Sequence, residues 1–475
     1  MKTNLLAVLS DREVQSIHEA SIEILATTGV AIESDDVRKL LVEKGASCDG
    51  VIVKFSKSLI EDCVAKNRRR IQLTDRNGKD LFLLGDGGVR FAGGHNAVFV
   101  MDSKNGERRN STIRDVETFS VLCEHLEDID LIGVPLNPSD APPKTMLAHA
   151  VAAIMRNSRK PIFFSSESRE VNLAIMELAL ALTGQKNFKE RSYLISQLST
   201  TSPLFWEKGA AEALVACAKA GLPVAFLPQP IAGLTAPYTL AGNITVHNTE
   251  VISGVVIAHL VNPGTPLIYA AAWTSYDMRH SNVVIGRPEE ALMRIAGAQM
   301  ARHYNMVSHS IGPDADSNLH DEQMGWEKMM SGMAAALSGN DLIVNAGMFG
   351  TGMTVTNEQL ILDNEMNRFV KRIRKGIAVN ESTVAKSLIM EKGARGSFID
   401  TDHTLEHLRT GEHIEPTVIK ALNYEDWRKE GMPDCATLAS RKVESLLRLD
   451  NPSRLDDKAA TANEEILRKW DTVYK

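Results

Sequence analysis

Between Asp130 and Phe349 a short run of apolar and β-branched residues gives way, six times over, to a helix-length amphipathic stretch. Few folds accept that alternation. Strands separated by helices pair in parallel, and continuous apolar character marks strands buried on both faces. Seven runs read as strands: Leu131–Leu136, Pro161–Ser166, Ser192–Thr200, Pro223–Gln229, Pro266–Trp273, Asn305–Ile311 and Asp341–Phe349. Ser397–Asp400 is the candidate for an eighth. The expected fold is therefore α/β, a closed (β/α)8 barrel. Its chemistry should gather where strands end, at Glu167, Gln197, Gln229, Tyr269, Trp273, His309, Asn345 and Phe349.

The flanks read differently. Asp11 is a plausible N-cap for a helix with an apolar face of Val14, Ile17, Ile22, Ile24 and Leu25. From Val51 to Met101 short strands alternate with Gly and Asn turns, and Asp75–Lys79 and Gly85–Gly88 read as hairpin turns. Thr112 caps a helix expected to lead into the first barrel strand. Beyond Phe349, helices are expected over Asn357–Arg374, Cys435–Leu447 and Ala459–Trp470. The chain thus divides into a small N-terminal α+β element (1–115), the barrel (116–423) and a helical C-terminal tail (424–475).

A length of 475 residues, with 44% hydrophobic and 24% charged, suffices for a large barrel and an appended element. The net charge of −7 offers no basic excess for nucleic acid. Five widely spaced cysteines form no C-x-x-C pair and read as reduced, buried thiols. The apolar N-terminal stretch ends at Ser10-Asp11-Arg12, too short for a signal-peptide core, and no run approaches the ~20 apolar residues of a membrane span. A cytoplasmic location is expected.

Tyr269, Trp273 and Tyr276 cluster at one strand end in a chain with only 5% aromatic residues. Aromatic faces round a pocket can hold a quaternary ammonium, although ordinary packing under a loop is the alternative. His309 could donate to a substrate carboxylate or shuttle a proton, or it could be a hydrogen-bonded core residue. Asp314, Asp316 and Asn318 mimic the opening of a calcium loop, but Leu319 and Gly325 stand where that loop needs glycine and glutamate. The stretch reads instead as a polar loop capping a helix from Asp321. The glycine-rich segments lack the order of a nucleotide-binding loop, and no G-x-S-x-G elbow presents a serine.

Gly93-Gly94 leads to Phe99-Val100-Met101-Asp102, Gly106-Glu107-Arg108-Arg109 and Thr112-Ile113-Arg114-Asp115. Further on stand Asp316-Ser317-Asn318-Leu319-His320-Asp321-Glu322-Gln323, Gly347-Met348-Phe349, Leu362-Asp363-Asn364-Glu365 and His403-Thr404-Leu405-Glu406-His407-Leu408-Arg409. In order and spacing these motifs resemble the trimethylamine methyltransferase family over nearly the full length. The likeness is nearer to its members without pyrrolysine, which demethylate quaternary amines such as glycine betaine.

The resemblance implies a TIM barrel that passes a methyl group to the cobalt of a separate corrinoid protein. It implies no tightly bound cofactor, and a cognate corrinoid protein and a small quaternary amine as partners. A homo-oligomer is expected, with neither nucleic acid nor membrane as partner. Where trimethylamine enzymes carry pyrrolysine, this chain has Asp316-Ser317-Asn318-Leu319-His320, so Asp316 and Asn318 join the candidate substrate residues. Carnitine, proline betaine and γ-butyrobetaine are alternative substrates. A non-catalytic betaine-binding barrel, or a metal-free hydrolase or lyase, is the alternative class.

Overall fold

In the computed structural model, which describes residues 5–102 and 105–474, eight parallel strands close into a barrel. They are β1 (Arg90–Gly93), β2 (Leu131–Gly133), β3 (Ile162–Ser165), β4 (Leu194–Leu198), β5 (Val224–Phe226), β6 (Leu267–Ala271), β7 (Val307–Ile311) and β8 (Leu342–Ala346). A helix follows each in turn: α1 (Ile113–His125), α2 (Met146–Asn157), α3 (Arg169–Thr183), α4 (Lys208–Ala220), α5 (Leu240–Val261), α6 (Pro288–His303), α7 (Glu322–Leu337) and α8 (Asn357–Lys375).

The eighth strand is not Ser397–Asp400, which is exposed and lies in no strand. Arg90–Gly93 takes that place, pairing with β8 on one side and β2 on the other. At four residues, flanked by glycines, it carries too little apolar length to stand out from the hairpins before it. The barrel therefore opens inside the 1–115 segment rather than at 116. The turn at Gly85–Gly88 feeds β1 instead of closing a hairpin, and α1 leads into the second barrel strand.

Phe163, Ile195, Ala225, Ile268, Val307 and Leu342 fill the barrel interior. The hairpin of Ile71–Thr74 and Asp80–Leu84, turning at Asp75–Lys79 as expected, adds Ile71, Leu73 and Leu84 to that same cluster. It plugs the N-terminal end. Ligands must then approach from the end where the strands finish.

Local chemistry explains the helix starts. Ser10, not Asp11, caps the first helix (Asp11–Thr27): its backbone N–H donates to the Glu13 carboxylate at 2.7 Å while its hydroxyl accepts from the Glu13 N–H. Asp11 falls in the first turn, where a negative charge suits the helix dipole. Thr112 does cap α1, with its N–H and hydroxyl both bonded to Asp115.

Helix α5 has the length and apolar content of a membrane span, but most of it is buried inside the fold. It is packed against the first helix, α4 and α6. It also carries buried Asn243, His247, Asn248 and Glu250. The N-terminal stretch weighed above begins in 1–4, outside the described residues. Cys63, Cys123 and Cys217 are buried thiols, whereas Cys48 and Cys435 are exposed, the first on a wholly exposed strand and the second at the start of a surface helix. The tail helices Cys435–Leu447 and Asp457–Val473 strap the barrel wall, with Trp470 Nε1 donating to Glu177 at 2.8 Å.

Candidate active site

At the open end, β1 finishes in a turn that only glycine permits. Gly94 has φ +76°, and a Cβ there would sit 2.4 Å from Pro135 Cα. That turn brings His95 and Asn96 in over the barrel end. Beside them stand Gln197 from β4 and Asn345 from β8.

Gln197 shares the inner face with Ile195 and donates Nε2 to Ser165 Oγ at 3.1 Å. Strict alternation would turn Asn345 outward, because Val344 fills the interior. A register shift in β8 and a φ of 91° rotate it, and its Nδ2 donates to Asp314 Oδ1 at 2.7 Å. Asn96 Nδ2 donates to the Ser165 carbonyl at 3.4 Å.

With their nitrogens committed, the three amides leave Asn96 Oδ1, Gln197 Oε1 and Asn345 Oδ1 buried without a partner. His95 Nε2 and both ring nitrogens of His309 are likewise unpartnered. A native fold leaves few such atoms, each costing about 1–3 kcal/mol. Their concentration at one barrel end marks a site built for something the protein alone does not supply.

His95 is half-buried and therefore the histidine that a ligand meets. Burial pushes its pKa down to about 4, against the opposing pull of the neighbouring Asn345 and Gln197 amides, so the ring is neutral near pH 7. His309 sits one layer deeper on the inner face of β7, fully buried, with its ring centroid 5.0 Å from that of Phe163. Burial, and then the proximity of His95, hold it well below its ordinary value. It supports the floor rather than lining it. Behind Asn345 stands Asp314, matched by Arg294, whose Nη2 donates to Asp314 Oδ2 at 2.7 Å and to the Ile285 carbonyl at 2.9 Å. Burial raises the Asp314 pKa while Arg294 lowers it.

The structure disperses the other candidates. Tyr269 and Trp273 lie on the outer face of the β6 segment, because Ile268, Ala270 and Ala272 occupy the inner one. The Tyr269 hydroxyl donates to Asn248 Oδ1 at 3.1 Å, and its ring stacks on Tyr304 with centroids 6.2 Å apart. Trp273 packs against His247 at 4.2 Å between β6 and α6. Phe349 is buried beneath the loop after β7 with Ala315 and Met324. No aromatic cage forms from these residues.

Asp316 accepts from the Ile285 and Gly286 N–H groups, both at 3.0 Å, and from Thr351 Oγ1 at 3.1 Å, so its carboxylate fastens the loop. Asn318 is exposed beside Gly350. His320 borders a separate cavity of about 420 Å³ between α7 and α8. Gln229 is exposed past β5. Glu167 reaches water after β3, yet the protein crowded round its carboxyl raises its pKa.

Gln197, His309 and Asn345 are thus brought together, joined by His95, Asn96 and Arg294, which sequence reasoning passed over, and by Asp314. The one available signal was the Gly93-Gly94 pair just ahead of His95. The Asp314 carboxylate, weighed as a calcium ligand, proves to be a buried ion-pair partner, and nothing in α6 singles out Arg294.

Residues 1–471 match the trimethylamine methyltransferase family. A trimethylamine methyltransferase of Desulfitobacterium hafniense is 31% identical over 472 residues, covering 99% of this chain and 95% of that one. A glycine betaine methyltransferase of the same species is 31% identical over 426 residues, covering 89% and 88%. Among solved structures, the monomethylamine methyltransferase of Methanosarcina barkeri superposes with TM-score 0.50 at 15% identity, over 94% of this chain and 96% of that one. That likeness concerns the fold.

Proposed function

The chain belongs to the trimethylamine methyltransferase family, and from that premise we propose that it takes one methyl group from a quaternary amine, glycine betaine before others, and gives it to the Co(I) centre of a separate corrinoid protein. The partner's reduced corrinoid supplies the nucleophile. What this chain supplies is binding, orientation and exclusion of water.

The observation that carries the reading is the unpartnered polar floor at the barrel's open end. Three amide oxygens offer the negative ends of dipoles to a cation, while the Asp314 charge behind them is spent on Arg294. Nitrogen loses its positive charge as the methyl leaves, so a full carboxylate against it would stabilise the ground state more than the transition state. Amide dipoles attract the ammonium more weakly than a full charge and so carry less of that handicap. The departing tertiary amine is neutral and needs no general acid, which suits histidines held in the neutral form.

A betaine also brings a carboxylate, whose burial without donors would cost several kcal/mol. His95, half-open above the floor, is the donor we assign to it. Round the mouth, Leu234, Tyr238, Met278, Leu319 and Met353 are exposed on loops that follow β5, β6, β7 and β8. Such an apolar rim suits a protein partner seated over the opening. The loop from Asp316 to His320 holds standard side chains and is pinned through Asp316, which favours a substrate that needs no covalent adduct.

Mixing the protein with a corrinoid protein in the Co(I) state and following its absorbance on addition of glycine betaine, carnitine, proline betaine or γ-butyrobetaine tests the reading. Methyl transfer is expected, fastest with the amine whose length suits the site. Absence of transfer with every quaternary amine would remove the proposal, and calorimetric binding without turnover would favour a binding barrel.

A further inference from the structure

The motif Leu362-Asp363-Asn364-Glu365 lies on α8, and its polar side chains go different ways. Asn364 Oδ1 accepts from the Asp128 N–H at 3.0 Å and Glu365 accepts from the Thr417 N–H at 2.9 Å, so both fasten neighbouring segments. Asp363 turns toward the strands. Its Oδ2 accepts from the Gly347 N–H at 2.6 Å and from Lys328 Nζ, on α7, at 2.9 Å, while its Oδ1 accepts from Gln359 Nε2 at 2.7 Å. Lys328 Nζ also donates to the Pro313 carbonyl at 3.1 Å. Both side chains are wholly buried.

Burying two charges stabilises a fold little, since well-packed apolar side chains of similar volume usually do as well or better. What apolar side chains cannot do is hold backbone groups. Pro313 immediately precedes Asp314 and Gly347 is two residues past Asn345, so the pair fastens both sides of the contact through which Asn345 Nδ2 donates to Asp314. Asp314 has a further tie to α7, its N–H donating to Ser331 Oγ at 2.8 Å. On the β8 side the tie is Asp363. Asn345 stands there at φ 91°, a backbone conformation that persists where its surroundings over-determine it.

We propose, resting on the methyl-transfer reading, that Asp363 is a positioning residue for that reaction: by accepting the Gly347 N–H it holds the bulge of β8 so that Asn345 presents its amide oxygen to the substrate's ammonium. Lys328 supplies the countercharge that so deeply buried a carboxylate requires. Neither side chain reaches the substrate. A misplacement of about 1 Å at a site can cost ~100-fold in rate, whereas the oxygens of Asn96 and Gln197 remain to bind the cation.

Neutral replacements of the pair separate the tether from the charge. Lys328→Met with Asp363→Asn keeps an acceptor oxygen for Gly347 and should leave kcat, read as betaine-dependent methylation of a Co(I) corrinoid protein, within about tenfold of wild type. Lys328→Met with Asp363→Leu offers no acceptor, and kcat should fall ~100-fold while KM rises less than about fivefold. Lys328→Met with Asp363→Ala repeats the comparison without leucine's bulk. A crystal structure of the leucine variant should show Asn345 turned away from Asp314. Equal kcat values in the asparagine and leucine variants, or a leucine variant in which Asn345 keeps its φ and its contact, would overturn the proposal. A wild-type protein that moves no methyl group would instead remove the transfer reading itself, so the two failures are told apart.

Discussion

Acidification should tighten glycine betaine binding through His95. In the free protein this ring has a pKa of about 4. A carboxylate within hydrogen-bond reach raises such a value by about 1–3 units, and a rise of about 2 places it near ~6 in the complex. The complex then holds more protons than the free protein, so affinity climbs as pH falls through the complex's value. By linkage, affinity at about pH 5.5 exceeds that at about pH 7.5 roughly fourfold, with uptake of about 0.7 proton per ligand bound. Calorimetry in buffers of differing ionisation enthalpy reads that uptake directly. Tetramethylammonium, which has the cation and no carboxylate, should show no such slope, and His95→Gln should abolish it for betaine. The other titrating groups near the mouth act differently. Glu167, its pKa raised by the protein round it, loses a negative charge on acidification and weakens attraction for any cation, so Glu167→Gln should steepen the betaine slope. His309 lies beneath the floor, and Asp314 is held by Arg294. A flat pH profile, or equal slopes for the two ligands, would refute the assignment of His95.

Other perturbations separate the site from its scaffold. Asp314→Ala strands the buried Arg294 guanidinium and should cost ~3–5 kcal/mol in urea unfolding; a loss below about 1 kcal/mol would mean that the pair is not buried as described. Tyr269→Phe removes the phenol that donates to Asn248 and should cost about 1 kcal/mol of stability with betaine affinity unchanged. Weakened binding at unchanged stability would place Tyr269 at the ligand after all. Burial lowers His247 to about 3 and His259 to about 4 and holds His309 well below its ordinary value. Each stays neutral in the fold while the unfolded chain protonates near ~6.5, so stability is lost as pH falls below that value. From about pH 7.5 to 5.5 these three, with His95 held at about 4, together withdraw about 5 kcal/mol. Glu250, raised to about 7 by burial, has the opposite sign and restores about 2 kcal/mol over the same interval. From these five groups a net loss of about 3 kcal/mol in urea unfolding is expected, and rising stability on acidification would contradict the burial of these rings.

Much of the fold was legible because period and punctuation are local. Seven apolar runs marked seven barrel strands, and Thr112, Asp321 and Asn357 marked helix starts that the structure keeps. β1 was not legible, since a four-residue strand between glycines is identified by the two neighbours it joins. The site was legible only in part. Parallel barrel strands are apolar on both faces, so the pattern around Tyr269 could not say which face meets the lumen. Asn345 is harder still, because a bulge overrides the alternation on which the reading of β8 depended.

The sequence alone determined seven of the eight barrel strands, the helix starts at Thr112 and Asp321 and the membership of a methyl-transferring family, because those rest on patterns carried within short stretches of chain. Tertiary structure decided that amide oxygens and neutral histidines, rather than aromatic rings, meet at the open end. The reason is physical: closing the barrel fixes which face of each strand looks inward, and burial sets the charge of what it encloses. Neither property belongs to any residue taken singly.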